Sequence, residues 1–295
     1  MLTVRYPSFD FSGCFPHWAP HREFAQYFNA VSMAPCAVEP FAIKVFRKVK
    51  PLLHPVKDAQ LLREVEWFIA QEAQHYRAHA KFNRILRNAG YPRLVELDQR
   101  FHDEMDDFLE NRSIEFCLGY VEGFEAAGAV WYQLWFEELD AYKQGALPEP
   151  LALFSWHYAE EYEHREGAFK LYKALVARRS PWRRIWYGWF YRIWITRFVM
   201  AHMSKHIGAM NAHFMEVDRA AMTSQEREES AARESAMLGH IGPLIRKGMR
   251  AMYWPWYNPR SKRPPHGLDA ALRAFEPGGQ YARPSGEAKL EVAQA

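Results

Sequence analysis

The stretch FIAQEAQHYRAHA, residues 68–80, decides the fold because it places Glu72 and His75 three residues apart within a helical pattern. Residues i and i+3 share one face of an α-helix, so this pair presents a carboxylate and an imidazole to the same place. A second stretch, WHYAEEYEHREGAF at 156–169, repeats the Glu-x-x-His spacing in another helical pattern. Two such pairs predict a metal site between two helices.

Helical periodicity extends from these two stretches through most of the chain, and no segment shows sustained strand-type alternation. The sequence therefore predicts an all-α fold, a ferritin-like four-helix bundle with a binuclear metal site and additional C-terminal helices. The four long helices are expected at 21–50 with an interruption at Pro35, at 57–88, at 114–142, and without a break at 149–179.

The predicted domain organisation has three parts. Residues 1–20, rich in proline, glycine and aromatic residues, form an N-terminal arm. Residues 21–252 form the helical domain, with additional helices after residue 180. Residues 253–295 form an irregular tail whose last dozen residues are expected to be disordered.

Composition excludes several classes of protein. The 295 residues are 49% hydrophobic and 25% charged, which is typical of a folded globular chain, and the net charge of +3 gives no case for nucleic-acid binding. The three cysteines match no zinc or redox spacing. With no secretion signal and no apolar run of membrane-spanning length, the expectation is a cytoplasmic protein, with membrane association as an alternative.

Two further helices carry an acid in apolar or small-residue surroundings. Glu39 occupies this position on the first helix, and either Glu122 or Glu125 occupies it on the third. One Glu from each of two helices and a Glu-x-x-His from each of the other two is the ligand plan of carboxylate-bridged two-metal bundles. The predicted metal ligands are Glu39, Glu72, His75, Glu122, Glu161 and His164.

Some assignments near this ligand set stay open. Glu122 and Glu125 lie one turn apart, so one could be a ligand and the other its partner, and Glu122 is preferred. Glu39 and Glu122 lie in stretches with no nearby basic residue to satisfy them, which argues against surface salt bridges. His79 and His157 align with the ligands on their helices and are either extra ligands or partners of ligands. Two neighbouring acids, Glu160 and Glu163, are expected to point elsewhere, and the other helical histidines are predicted to be ordinary core or polar residues: His54, His102, His202, His206, His213 and His240.

The segment 182–203 is unusually rich in tryptophan and arginine. Trp182, Trp186 and Trp189 form one helical stripe, while the arginines are distributed around the helix. One interpretation is a helix packed over the bundle with its arginines extending to water. The alternatives are a membrane-surface anchor or the lid of an apolar substrate channel.

With these residues in hand, the chain resembles the bacterial ferritin-like family known as the predicted metal-dependent hydrolases. The resemblance covers roughly residues 15–267 and rests on FNAVS leading to Glu39, on QEAQH with His79, on WHYAEEYEH followed by AF, and on the later WPWY. It implies a bundle with a binuclear metal site at the six ligands given above. The chain departs from the family pattern at Val38, Gly123 and Glu125, where glycine, histidine and threonine are expected.

Three functions are compatible with these ligands. The first expectation is a di-iron enzyme that uses dioxygen to oxidise a hydrophobic small molecule, together with an electron donor. The alternative is a metal-dependent hydrolase that uses a metal-bridged water, and the third hypothesis is metal binding without turnover. Two divalent ions are expected, iron first and manganese or zinc as alternatives, and a homodimer is an expected assembly.

Overall fold

A computed structural model of the chain describes residues 3–254 and 256–283. The all-α prediction is confirmed, since within these residues the only β-type pairing is one isolated bridge between Pro7 and Ala282. The helices are α1 (Arg22–Val49), α2 (Ala59–Asn88), α3 (Leu94–Asn111), α4 (Ile114–Glu137), α5 (Asp140–Lys143), α6 (Pro148–His164), α7 (Gly167–Ala177), α8 (Pro181–Ile185), a π-helical segment (Trp186–Tyr191), α9 (Arg192–Ala220), α10 (Ser224–Met252) and α11 (Leu268–Arg273).

Four helical columns enclose the centre of the molecule. Helix α1 packs on α2, α2 packs on α6 and α7, these two pack on α4, and α4 packs back on α1. Helix α9 lies across α1, α3 and α4, and α10 packs against α1, α4 and α9. The predicted four-helix bundle with additional C-terminal helices is therefore what the chain forms.

Helix α1 is continuous, so the predicted interruption at Pro35 is wrong. Pro35 and Pro40 both lie inside the helix Arg22–Val49. Each proline removes one backbone donor from the helix, which ordinarily bends or ends it. Here nearly every residue of α1 is buried between its neighbours, and tertiary packing overrides the local preference.

The fourth long helix is broken, contrary to the sequence prediction of one helix over 149–179. It is divided at Arg165 and Glu166 into α6 and α7. At the start of α7, Gly167 lies so close to Phe68 of α2 that a Cβ atom would be 2.7 Å from the Phe68 ring. The third of the four predicted long helices, α4, is also shorter than predicted and ends at Glu137.

The two ends of the described chain meet over the bundle. The backbone N–H of Ser8 donates to the carbonyl oxygen of Tyr281 at 2.7 Å, and that of Arg283 donates to Tyr6 at 3.1 Å. The tail also contains the short helix α11. The expected disorder of the last dozen residues lies outside the part of the chain that the structure describes.

None of the described helices is both long and apolar enough to cross a lipid bilayer. The tryptophan-rich segment instead forms α8 and the π-helical segment, which leads directly into α9.

Candidate metal centre

Five of the six predicted ligands come together at the centre of the four-helix bundle. Glu39 comes from the middle of α1, Glu72 and His75 from one face of α2, and Glu161 from α6. His164 is the last residue of α6, just before the break between α6 and α7. All five side chains are buried, with His164 only 2% exposed.

These side chains form two overlapping groups with metal-ligand spacing. Glu39, His75, His157 and Glu161 form the first group, and in it the possible ligand atoms all lie within 4.8 Å of one another. The same limit holds for the second group, which is Glu72, His75, Glu161 and His164. Glu161, with two carboxylate oxygens, can serve both groups, whereas His75 directs one lone pair at the centre and can serve only one of them. The arrangement is therefore suited to two neighbouring cations.

Nitrogen and oxygen donors approach each other closely in both groups. His157 Nε2 lies 3.0 Å from Glu161 Oε1 and 3.6 Å from Glu39 Oε1. His164 Nε2 lies 3.3 Å from Glu72 Oε1, and its Nδ1 lies 3.3 Å from Glu125 Oε2. Carboxylate oxygen and imidazole nitrogen together suit iron, manganese and zinc.

The buried donor atoms test whether a metal fits this centre. Both carboxylate oxygens of Glu39, Glu72 and Glu125 are buried without a hydrogen-bond partner, as are His75 Nδ1 and both ring nitrogens of His164. A buried polar group without a partner costs several kcal/mol, on the order of 2–7. Divalent cations would satisfy these atoms together, so the residues fit a metal centre.

The electrostatics of the carboxyl groups lead to the same conclusion. Burial raises the pKa of Glu39 well above its usual value, and the charges of Glu161 and Glu125 raise it further. Burial and neighbouring carboxylates likewise raise the pKa values of Glu72 and Glu125. For Glu161, burial acts in the same direction, but His164 and His157 outweigh it and lower the pKa. Positive charge at this centre would relieve the repulsion among the acids.

Glu160 contacts His75 at the bundle centre, so the expectation that Glu160 points away from the site is wrong. His75 Nε2 lies 3.0 Å from Glu160 Oε2, and the other oxygen of Glu160 accepts from Arg5 at 3.0 Å. Burial lowers the pKa of His75 well below its usual value, so the ring is neutral. When Glu160 is ionised it accepts the single proton of His75 from Nε2, which leaves the lone pair of Nδ1 facing the centre.

A second hydrogen-bond chain fixes the proton of His157. Asn83 Nδ2 donates to the Ser32 carbonyl at 2.9 Å, so Asn83 Oδ1 must accept from the Ser32 hydroxyl at 2.7 Å. Ser32 Oγ then accepts from His79 Nδ1 at 2.7 Å. Burial keeps the pKa of His79 far below its usual value, so its Nε2 carries a lone pair and accepts from His157 Nδ1 at 2.7 Å.

The direction of these hydrogen bonds determines which nitrogen of His157 faces the centre. With its Nδ1 proton donated to His79, His157 Nε2 faces the carboxylates of Glu161 and Glu39. That atom either carries a second proton toward Glu161 or directs its lone pair at a cation. The sequence left His157 and His79 as ligands or partners of ligands, and the geometry places His157 within the first group and His79 behind it.

Glu122 lies outside both groups, and the argument that it lacks a basic partner is wrong. Arg192, the first residue of α9, donates to Glu122 Oε1 from both Nε at 3.1 Å and Nη2 at 2.8 Å. This pair is buried. One turn along α4, Glu125 reaches His164 instead. The two acids therefore have different partners. The partner of Glu122, Arg192, lies 70 residues later in the chain.

A third group of possible ligands lies away from the bundle centre. The Nε2 atoms of His202 and His206 are 2.8 and 3.1 Å from Glu104 Oε2, while Lys205 donates to Glu104 Oε1 at 2.6 Å. Burial acts to raise the pKa of Glu104, but these hydrogen bonds lower it to about 2. Because Tyr120 also pairs with His202 at 2.7 Å, this group is satisfied by hydrogen bonds alone.

Gly128 makes room for the Glu161 side chain. A Cβ atom at this position of α4 would lie 2.8 Å from Glu161 Oε2. Any larger residue would push the carboxylate that belongs to both ligand groups.

An apolar cavity of about 350 Å³ opens onto the first ligand group. His79, His157 and Glu161 form its polar end. The rest of its wall is mainly aromatic and aliphatic, including Tyr27, Val31, Phe124, Ala127, Trp131, Phe154, Tyr158, Met200, Met203, Ile207, Leu238, Ile245 and Met249. This is the usual make-up of a small-molecule site.

Sequence reasoning missed several residues that order the ligands. Ser32 lies seven residues before Glu39 on α1, and Asn83 lies four residues after His79 on α2. Helical spacing could therefore have placed both on the ligand faces. Arg5 carries no such signal, because its position depends on how the N-terminal arm crosses the bundle.

Comparison with known proteins supports the metal centre. A family model described as "Predicted metal-dependent hydrolase" matches residues 3–262. The matched region includes every residue of the two ligand groups and the apolar cavity. Neither a curated protein nor a solved structure matches the chain.

Proposed function

The chain belongs to the predicted metal-dependent hydrolase family, and we propose from this premise that it hydrolyses a small apolar ester or amide at the bundle centre. The observation that carries the proposal is the coincidence of two features. Buried donor atoms without hydrogen-bond partners lie at the ends of Glu39, Glu72 and His164, and the apolar cavity ends at Glu161 in the same centre.

Two groups of residues would hold two divalent ions. The first group is Glu39, His75, His157 and Glu161, and the second is Glu72, His75, Glu161 and His164. Glu125 adds a carboxylate beside His164. The donor set suits iron, manganese or zinc.

When bound, such ions would supply Lewis acidity, lowering the pKa of a water and polarising the carbonyl of the substrate. The residues of the chain prepare the centre for this chemistry. Glu160, once ionised, keeps the proton of His75 on Nε2, and His79 keeps that of His157 on Nδ1. Each imidazole therefore presents a lone pair to the centre in a fixed orientation.

The cavity defines the substrate class. Its walls carry mainly aromatic and aliphatic side chains and no Lys or Arg; His157 and Glu161 belong to the metal centre, and Ser204 and Asn211 of α9 add two further polar side chains. An elongated apolar group would bind along the walls with its carbonyl at the polar end, while the walls exclude bulk water. We propose an uncharged ester or amide with one apolar arm.

Oxidation of an apolar substrate, the first expectation from the sequence, uses the same ligands. The family match favours hydrolysis instead, and the oxidation hypothesis has no comparable support. The two reactions differ in the source of the oxygen atom that enters the product.

To test the proposal, the protein is loaded separately with iron, manganese or zinc. Each form is then incubated in H₂¹⁸O with a series of p-nitrophenyl esters of increasing acyl length. Hydrolysis predicts one ¹⁸O atom in the released acid and kcat/KM that rises with chain length until the cavity is full. Product labelled from ¹⁸O₂ but not from water would overturn the proposal, as would the absence of metal-dependent turnover across the series.

The matched variants are Ala127→Phe and Val95→Phe. Ala127 lines the cavity, so its replacement should shorten the longest accepted acyl chain by several carbons while short esters are still hydrolysed. Val95 is 61% exposed on α3 and serves as the control. Equal chain-length profiles for the two variants would show that this cavity does not bind the substrate.

A further inference from the structure

The helix formed by α8 and the π-helical segment presents its apolar stripe to solvent. Trp182, Ile185, Trp186, Trp189 and Phe190 stand at positions i, i+3, i+4, i+7 and i+8, the spacing that ordinarily faces a protein core. All five are exposed, with Trp182 at 83%. The opposite side, at Gly188, packs on Val176 of α7. The apolar face of this helix therefore points away from the bundle.

Residues from the tail extend the same surface. The Trp189 ring lies 6.0 Å from the ring of Trp256, which lies 5.5 Å from that of Trp254. Trp254 and Trp256 are 60% and 71% exposed. We call the seven residues Trp182, Ile185, Trp186, Trp189, Phe190, Trp254 and Trp256 the aromatic surface. A continuous exposed patch of this kind marks an interaction site.

The segments that build the aromatic surface are entirely without acidic residues. Between residues 167 and 215 the sequence has nine Lys or Arg and no Asp or Glu, and between 235 and 268 it has six and none. This contrasts with the chain as a whole, where 38 basic and 35 acidic residues nearly balance. Arg183, Arg184 and Arg250 are exposed among them. Six of these fifteen basic residues pair with acids outside the two segments, among them Arg178 with Asp58 and Arg179 with Glu115, so the positive charge beside the aromatic surface comes from residues such as Arg183, Arg184 and Arg250.

We propose that the aromatic surface docks on an anionic lipid bilayer. Tryptophan rings prefer the boundary between headgroups and acyl chains, and exposed arginines beside them bind anionic headgroups. A helix with a tryptophan face and basic flanks is the arrangement that lies in the plane of that boundary. The proposal does not depend on the reaction at the metal centre.

A second copy of the chain fits this surface less well. A two-fold contact would place the same patch on both subunits and bring the cationic flanks of one against those of the other. No acid within the two segments is present to relieve that repulsion. Lipid phosphates supply the missing negative charge.

The experiment uses the full-length protein and vesicles of phosphatidylcholine, with or without about one third phosphatidylglycerol. Co-sedimentation should show binding to the anionic vesicles only, weakening as salt rises. Brominated acyl chains should quench tryptophan fluorescence as the rings enter the bilayer. Absence of binding to anionic vesicles would overturn the proposal.

Two variants and a control separate the contributions. Trp182→Ser with Trp186→Ser removes apolar contacts, and Arg183→Glu with Arg184→Glu reverses two charges, so each should bind anionic vesicles at least about 20-fold more weakly. Val56→Ser with Val95→Ser, which alters two exposed residues elsewhere, should bind as the wild type does. Helical circular dichroism of all three checks folding.

Two results would contradict the lipid assignment. One is equal vesicle binding by the wild type and both aromatic-surface variants. The other is a wild-type dimer, seen by light scattering, that the tryptophan variant converts to a monomer without any vesicle binding by the wild type, which would make the surface a contact between copies.

Discussion

His157 Nδ1 lies 2.7 Å from His79 Nε2, and only one of these two nitrogens can carry the proton between them. The chain from Asn83 through Ser32 places that proton on His157. The tautomer of His157, a candidate metal ligand, is thus determined by the amide side chain of Asn83, although Ser32 and His79 lie between them in the hydrogen-bond chain.

Replacing His79 by Phe should weaken metal binding without unfolding the bundle. The substitution removes the acceptor for His157 Nδ1–H, so the imidazole loses its fixed orientation, and affinity should fall roughly 10- to 100-fold. Competition with a chromogenic chelator measures the change. His266→Phe, at an exposed position, is the control, and equal affinities for the two variants would contradict the proposed network.

Arg5→Met should make metal binding more sensitive to acid. Burial already raises the pKa of Glu160 to about 8, although Arg5 acts to lower it. Without Arg5 the pKa rises further, and a protonated Glu160 would donate to His75 Nε2 and move the imidazole proton to Nδ1. Metal affinity measured by calorimetry should therefore rise through about pH 8 in the wild type, as Glu160 ionises, and through a higher pH in Arg5→Met. Arg263→Met, which breaks an exposed pair with Glu137, should leave the pH profile unchanged.

Glu125→Gln should affect metal binding, whereas Glu122→Gln should affect the stability of the fold. Glu125 faces His164, so its amide should lower metal affinity or stoichiometry, as measured by elemental analysis after dialysis. Glu122→Gln should retain the metal but lose about 3 kcal/mol of unfolding free energy in urea, because Arg192 is left buried without its counter-charge. The reverse pattern would restore Glu122 as the ligand.

Chelated protein should become less stable as pH rises. The pKa values of Glu39, Glu72 and Glu125 are raised in the folded state, chiefly by burial, so above about pH 4.5 the folded chain holds protons that the unfolded chain has lost. Unfolding free energy therefore falls as pH increases, by up to about 1.4 kcal/mol per pH unit for each proton. Calorimetry between about pH 7 and 8, above the usual histidine pKa so that the lowered pKa values of His75 and His79 add no opposing slope, should show this decline, and a saturating divalent ion should reduce it. A chelated protein that gains stability over this range would refute the assignment.

Gly128→Ala should disturb the centre through a single methyl group. The added Cβ would lie 2.8 Å from Glu161 Oε2, so the carboxylate must move away from both ligand groups. Metal affinity should fall about tenfold or more, whereas Gly239→Ala, at an exposed position of α10 with open space around it, should leave metal affinity unchanged. Titration of the two proteins with the same metal provides the comparison.

The sequence predicted the parts of this molecule that depend on helical spacing. Glu72 with His75 and Glu161 with His164 could be found because i and i+3 share a face whatever the surrounding fold. The all-α class followed from the same periodicity. These features are local, and tertiary packing did not alter them.

The errors arose where distant contacts decide the outcome. Pro35 does not interrupt α1 because the helix is enclosed on all sides. Glu122 meets Arg192, and Glu160 meets His75 and Arg5; both partnerships join residues that are far apart in the chain. The residue pattern of a single helix does not contain that information. The choice between Glu122 and Glu125 on α4 depends on the position of Arg192 on α9.

The pairing of residues 6–8 with residues 281–283 has a practical side. That contact anchors the strand-like arm from which Arg5 reaches Glu160. A purification tag fused to the N-terminus joins the chain a few residues before Arg5, and a disturbance of this arm would reach the imidazole of His75 through Arg5 and Glu160. Metal affinities measured on tagged protein would then include an effect of the tag, so the tag should be cleaved before the titration.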